Sequence, residues 1–530
     1  MIEALARFPM VSKIQNPKSK IQNPTARRVA TNALSPFAAQ IVTKVLMLGY
    51  GILQFRLVSA ALLGDYFLAA IVLLYTSAIS EWGLGTLLTR NVARDRGVEG
   101  EEADVARLFS QTLSLRLATS LALFVPVLAF VVIYVMFFNL STDGAWATLL
   151  LTVSLLPNAF SGSVTSLLYA YERMSLPAVI GVATSVLNVA LGVGLLVLGW
   201  GIMGLAWAAL LATLLTAVFF WRILRRDFPA VPIRLDLSAL RIDRSAAVSL
   251  LKAGWPLMLN ALLVGLFFRA DQFIIKASTT SQDVAQYEAA YRFLNFVLLI
   301  TPAVTLALFP RMARHAVTDR SRLAYEYGFA LKVLLIMSVP IVVLTVWFAP
   351  LLITVVTGGK TGYLPESAIA LQILIFFLPF SFINGVTQYV LIALDRQRLI
   401  TRAFAATVVF NIGANLLLVP VLGINGAALS TVLSELVLLV PFLIWVGREL
   451  GSALPATWAL KPMLGGLVAA VLGWLLQPLE HQWLDNWVNV ALYIGAGLLL
   501  VMVYGGLLLV ARPFTVAERT SLWSALRRGT

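Results

Sequence analysis

Apolar runs of about 20 residues, the length that carries a helix across about 30 Å of hydrocarbon, recur from residue 35 almost to the C-terminus. They predict helices over 35–58, 66–88, 115–137, 145–169, 176–198 and 202–223, then a polar, basic interruption at 225–245. Further runs follow over 251–275, 287–310, 328–350, 367–391, 401–420, 424–446, 460–477 and 488–511, making fourteen. The fold expected is an all-α polytopic membrane protein. The chain divides into a basic cytoplasmic tail (1–34), expected to be disordered, an N-lobe of six helices (35–223) and a cytoplasmic linker (224–250). A C-lobe of six helices (251–446), a last helix pair (447–511) and a C-terminal cytoplasmic tail (512–530) complete it. The N-terminal tail writes KIQNP twice with a short spacer and has no apolar segment before a cleavage site, so it does not read as a signal peptide. The C-terminal tail reads as a short amphipathic surface helix.

Composition agrees with the pattern: 60% of the residues are hydrophobic and 12% charged, where a soluble domain carries about 25% charged residues. The net charge of +14 would suit nucleic acid, but its distribution removes the need for one. With the N-terminus cytoplasmic, the opposite face holds only Arg56, Lys276 and Lys360 against the acids Asp65, Asp143, Asp283, Glu366, Glu480 and Asp485. Lys44, Arg269 and Arg292 sit inside helices, and the other 33 of the 39 Lys and Arg fall on the cytoplasmic side. That is the positive-inside pattern, which places both termini in the cytoplasm. The remaining basic excess contacts anionic lipid. There is no cysteine, and two isolated histidines, His315 and His481, do not make a metal site. No nucleotide loop, nucleophile elbow or cofactor motif occurs, so no enzyme and no cofactor are expected.

The chain repeats itself. Tyr66 and Arg90 recur as Tyr287 and Arg311 at an offset of 221; GIMGLA at 201–206 recurs as GINGAA at 423–428, offset by 222. SVT at 163–165 returns as GVT at 385–387, Asn188 as Asn411, and Glu172-Arg173 as Asp395-Arg396. An even number of helices per unit gives both halves one orientation, a parallel repeat that predicts two pseudo-symmetric six-helix lobes with a site between them.

FRADQFIIKA at 268–277, QYEAAYRF at 286–293, LFPRMAR at 308–314, GLGTLLTRNVAR at 83–94 and NGAAL at 425–429 carry a resemblance. The chain resembles, over about 30–450, the polysaccharide-biosynthesis flippases of the multidrug/oligosaccharidyl-lipid/polysaccharide exporter superfamily. The resemblance implies a two-lobe transporter that alternates access and turns over a polyprenyl-diphosphate-linked oligosaccharide, an O-antigen or exopolysaccharide precursor. It also implies that the last two helices help form a groove for the lipid tail. Its alternatives are a peptidoglycan-precursor flippase and a drug or cation antiporter of the same superfamily. A glycosyltransferase or polymerase would need a large outer loop, and the longest here are about 12–16 residues.

Ionisable groups at membrane depth normally face protein or a wet cavity and mark a pathway. A lipid-linked diphosphate needs cations, for which Lys44, Arg269 and Arg292 are candidates. Glu288 stands four residues before Arg292 and offers it a partner along one helix. Arg269 and Asp271, two apart, cannot pair with each other, whereas Asp271 and Asn260, eleven apart, share a helix face that could line the cleft. Glu81 and Glu435 are candidates for a coupling H+ or Na+. At an offset of 221 the first half has Leu48, Tyr50, Phe67 and Ile71 where the second has Arg269, Asp271, Glu288 and Arg292. Headgroup chemistry is therefore expected to lean on the second lobe, with Lys44 reaching from the first. The expected partners are the lipid-linked glycan, membrane lipids and, as a candidate, a polysaccharide polymerase.

Overall fold

The structure, a computed structural model, describes residues 24–95, 101–229, 244–298, 300–451, 468 and 487–511. Among them twelve helical segments are long and apolar enough to cross a membrane. The two other expected spans have particular reasons for falling short. The run at 287–310 is divided between Ser281–Val297 and Ile300–Thr318, and most of 460–477 lies outside the described residues, as does the C-terminal tail. Fourteen spans remain consistent with this structure.

The described residues form two compact units. The first runs to Glu288 and includes Val356–Gly358; the second holds 289–355 and the chain from Gly359. In the first unit lie α1 (Pro24–Leu57), α2 (Ala60–Glu81), α3 (Leu84–Asp95), α4 (Glu101–Ala122), α5 (Phe124–Phe137), α6 (Thr142–Val153), α7 (Leu155–Ala170), α8 (Ser175–Val197), α9 (Gly201–Asp227) and α10 (Arg244–Ser278). The boundary falls inside α11 (Ser281–Val297). The second unit continues with α12 (Ile300–Thr318), α13 (Arg320–Thr357), α14 (Glu366–Leu374), α15 (Phe377–Ala393), α16 (Gln397–Leu422), α17 (Ile424–Leu450) and α18 (Trp487–Ala511).

Helix α1 starts eleven residues before the expected tail ends. Pro24 suits a first helical turn, where its missing N–H would have no partner, and no further breaker occurs before Pro36. Most of the basic interruption, 230–243, lies outside the described residues, and the compact units divide later, at Glu288. The reason is packing: α10 lies along α2 and α3. Trp82 Nε1 donates to the Leu251 carbonyl at 2.9 Å, and its ring sits 5.8 Å from that of Trp255. Gly254 admits this contact, since any Cβ there would run into the Trp82 carbonyl.

Each unit has its own core. In the first, Leu88 and Val92 of α3 meet Phe109 and Leu113 of α4, Val164 and Leu167 of α7, and Phe220 and Leu224 of α9. In the second, Val339, Val343 and Trp347 of α13 meet Tyr493, Leu500 and Tyr504 of α18. Gly497 leaves room there for the Phe348 ring.

Local features recur at the repeat offset. Glu172 and Asp395 both take a left-handed conformation, at φ 57° and 58°. Beside them Arg173 pairs with Asp227 at 2.6 Å, and Arg396 pairs with Glu449 at 2.6 Å. Gly201 and Gly423, at φ 54° and 57°, begin the turns into α9 and α17, each 27 residues long. Two turns and two ion pairs of the same kind, each within its own unit, are a repeat expressed in three dimensions.

Candidate functional site

The FRADQFIIKA stretch forms the last third of α10, and the chain returns as α11 after a turn at Thr279–Thr280. This hairpin brings five of the polar residues of the two segments together. Arg269 Nη1 lies 2.5 Å from Glu288 Oε2, which also accepts from Gln272 Nε2 at 2.9 Å. The Tyr287 hydroxyl donates to Asp271 Oδ2 at 2.6 Å, and the Gln272 amide donates to Oδ1 at 2.9 Å. Asp271 is 2% exposed, and Gln272 and Glu288 are also buried. Both carboxylates of the cluster thus accept hydrogen bonds, while the Gln272 side-chain oxygen has no hydrogen-bond partner. Tyr75 of α2 stacks on Phe273 at 5.7 Å and donates to the Gly265 carbonyl at 3.3 Å, closing one side.

This geometry changes the expected site. Arg269 is not an unpaired cation: its partner is Glu288, 19 residues away on the neighbouring helix, where no spacing on its own helix could reveal it. As expected, Arg269 and Asp271 do not pair with each other. The stripe expected from Asn260 to Asp271 is not uniform, because Asn260 is exposed on α10 whereas α11 covers Asp271. Arg292 is half-buried on α11. Lys44 is exposed in the apolar span Ser35–Leu57. A lysine in such a span either has water or an anion beside it or reaches its ammonium toward the interface.

Glu435 of α17 occupies a different environment. It is 2% exposed, and Asn384 Nδ2 donates to its Oε2 at 2.6 Å and to its backbone carbonyl at 2.9 Å. Nearby, Asn411 donates to Ser434 at 2.9 Å, and Asn415 donates to the Asn411 carbonyl at 2.8 Å. The side-chain oxygens of Asn384 and Asn415 are buried without partners. Among the described residues no lysine or arginine pairs with Glu435. A carboxylate with only neutral partners in so dry a place is costly, and a proton or a monovalent cation relieves it.

Glu81 is exposed at the end of α2, and beside it lies a residue that sequence reasoning missed. Arg116 of α4 is 6% exposed, and its Nε and Nη1 make no hydrogen bond. Its guanidinium fills the space left by Gly162, where a Cβ would stand 2.6 Å from Nη2. Glu81 and Arg116 flank Gly85 together. The expected span began at 115, which put Arg116 at a cytoplasmic helix end. Since α4 begins at Glu101, the residue lies about 22 Å along the helix. His315 is likewise accounted for: its Nδ1 lies 3.0 Å from Glu326, which also pairs with Arg311 at 2.8 Å. His481 lies outside the described residues.

The family model described as polysaccharide biosynthesis protein matches residues 29–316, more than half of the chain. The chain belongs to the polysaccharide biosynthesis protein family. A second model, MatE, matches residues 256–417 of this family member. A curated relative, the uncharacterized membrane protein MJ1068 of Methanocaldococcus jannaschii, is 25% identical over 264 residues, 48% of this chain. The chain spans about half (50%) of that relative's length. Among solved structures, the lipid II flippase MurJ in an inward closed conformation is similar at TM-score 0.67 and 16% identity, over 89% of this chain and 97% of that one. An inward-facing multidrug resistance MATE transporter of the MOP superfamily is similar at TM-score 0.64 and 17% identity, over 79% and 98%. The polysaccharide biosynthesis family member thus has the fold of MOP-superfamily transporters, with multiple membrane-crossing helices.

Proposed function

We propose that the protein is a flippase that moves a polyprenyl-diphosphate-linked oligosaccharide from the cytoplasmic to the outer leaflet of a bacterial inner membrane by alternating access. The observation that carries this reading is the match of the polysaccharide-biosynthesis model to 29–316, which takes in the whole first half and the Arg269 cluster. Lys44 supports it: an exposed cation in an apolar span suits a diphosphate passing beside it. Lys44 and Arg292 are each candidates for contact with the diphosphate, Arg269 is held in place by Glu288, and Asn260 is a candidate for the sugar, Asp271 being engaged by Tyr287. Glu435 is the coupling carboxylate, exchanging H+ or Na+ as the lobes alternate, and Glu81 is the second candidate for that role. Both termini are cytoplasmic, the chain makes no covalent bond, and a polysaccharide polymerase takes up the product.

The MatE match over 256–417 favours a second reading, an antiporter of organic cations. One experiment separates the two. Deleting the gene in its own host should lower surface glycan and leave lipid-linked precursor on the cytoplasmic side. Lys44→Ala should do the same with the protein still in the membrane, and Lys44→Arg should restore export. Unchanged glycan with new sensitivity to cationic drugs would establish the antiporter instead.

A further inference from the structure

The end of the first unit where α2 begins and α10 finishes holds a closed set of buried polar groups with no part in the proposed site. Asp65 of α2 and Lys276 of α10, both 3% exposed at the side chain, pair at 3.3 Å. The Lys276 ammonium also donates to the Asn139 carbonyl at 3.2 Å and to the Ser281 hydroxyl. Ser281 in turn donates to Asp65 Oδ1 at 2.5 Å, and the Ser141 amide donates to Oδ2 at 3.0 Å. Ser141 also caps α6 by accepting from the Gly144 amide at 3.0 Å. Three ammonium donors meet three acceptors, and both carboxylate oxygens are engaged.

Two glycines make the approach possible. A Cβ on Gly64 would overlap the Ser281 carbonyl, and one on Gly144 would stand 2.7 Å from the Asp65 Cβ. The knot therefore joins four pieces: the start of α2, the turn before α6, the end of α10 and the start of α11. By the repeat, the first two belong to the first half of the sequence and the last two to the second half. The basic-residue split assigns this end to the outside. At the other end of α10 the tie is of another kind, the aromatic clasp of Trp82 on Leu251 and Trp255.

We propose that Asp65, Lys276 and Ser281 form an outer latch, shut in this structure, that opens each time the transporter faces outward. Alternating access in a repeat transporter rocks one half against the other about the site, so a tie between halves at the outer end has to release for that end to open. A satisfied buried ion pair suits such a contact. Its attraction roughly balances the hydration that its charges have lost, and water entering the gap restores that hydration. A purely apolar seam would instead expose apolar surface on opening. The latch rests on alternating access and not on the identity of the cargo.

Because the chain has no cysteine, introduced thiols report alone. The triple variant Asp65→Cys/Ser281→Cys/Lys276→Met places two thiols where the carboxylate and hydroxyl touch, and removes the amine that would otherwise be left unpaired. Reduced, it should export glycan; oxidised, export should fall at least tenfold and return on reduction. Equal export in both states, with the disulfide verified, would make the knot a fixed strut and overturn the proposal. A second arm needs no cargo and covers a triple variant that fails to export. Ser281→Cys, buried in this structure, should react from outside with a membrane-impermeant maleimide within minutes in energised cells. Exposed Thr280→Cys should react at once. Reaction at Thr280→Cys with none at Ser281→Cys over an hour would overturn the latch, whatever the protein carries.

Discussion

The Arg269–Glu288 pair shows how a membrane charge changes meaning once its neighbour is known. Taken on its own helix, Arg269 is an unpaired cation whose removal relieves a cost. In the structure its removal leaves buried Glu288 without that partner. Breaking a buried pair from one side costs about 3–5 kcal/mol. Arg269→Ala should therefore lower abundance and thermal stability in detergent, and Arg269→Met with Glu288→Gln should recover most of the loss. A single variant as stable as the parent would show that the pair contributes little. Glu435 gives the opposite case, since its partners are neutral. Glu435→Gln keeps the shape and the Asn384 contact, so stability should hold while ion-driven transport is lost. Retained pH- or Na+-driven transport in that variant would remove Glu435 from the coupling role. The sequence offered Glu288 only Arg292 on its own helix and Glu435 no partner at all, whereas Arg269 lies 19 residues from the one and Asn384 51 from the other. Arg116 escaped notice for a different reason: a misplaced helix start turned a buried guanidinium into a loop charge.

At the scale of helices, apolar run length was the most legible feature, because lipid leaves the backbone no alternative to internal hydrogen bonding. The repeat was legible too, although single matches were short. The residues that recur are those a turn requires: an acid in the left-handed region before Arg173 and Arg396, and glycine before α9 and α17. Gly423 stands at φ 57° and ψ −138°, a region open essentially to glycine alone. Gly423→Ala should destabilise the α16–α17 hairpin by about 1–3 kcal/mol, read as a lower melting temperature, whereas Gly413→Ala, where nothing lies near the added methyl, should be close to neutral. Equal effects would argue against a strained turn. Less legible was where one helix breaks and the next begins. The stretch 287–310 reads as one span, yet the described helices end at Val297 and resume at Ile300.

For the molecule as a whole, the sequence placed a boundary at its basic linker, and the structure places one at Glu288. The difference follows from contacts that no sequence pattern displays: the Trp82 clasp on α10 and the Asp65–Lys276 knot 211 residues apart in the chain. A helix that opens the second repeat is thus packed with the first, and the cluster around Arg269 and Glu288 lies in that same compact unit. The flippase reading proposed above is best tested with the cargo itself. Purified protein in liposomes, given a fluorescent polyprenyl-diphosphate oligosaccharide, should move it between leaflets faster than protein-free vesicles do. Adding a reagent that quenches only the outer leaflet reads the rate directly. The expected result is fast flipping by the parent, accelerated by a pH or Na+ gradient, and slow flipping by Lys44→Ala reconstituted to the same density. A parent rate equal to that of empty liposomes, under both gradients, would contradict the flippase reading.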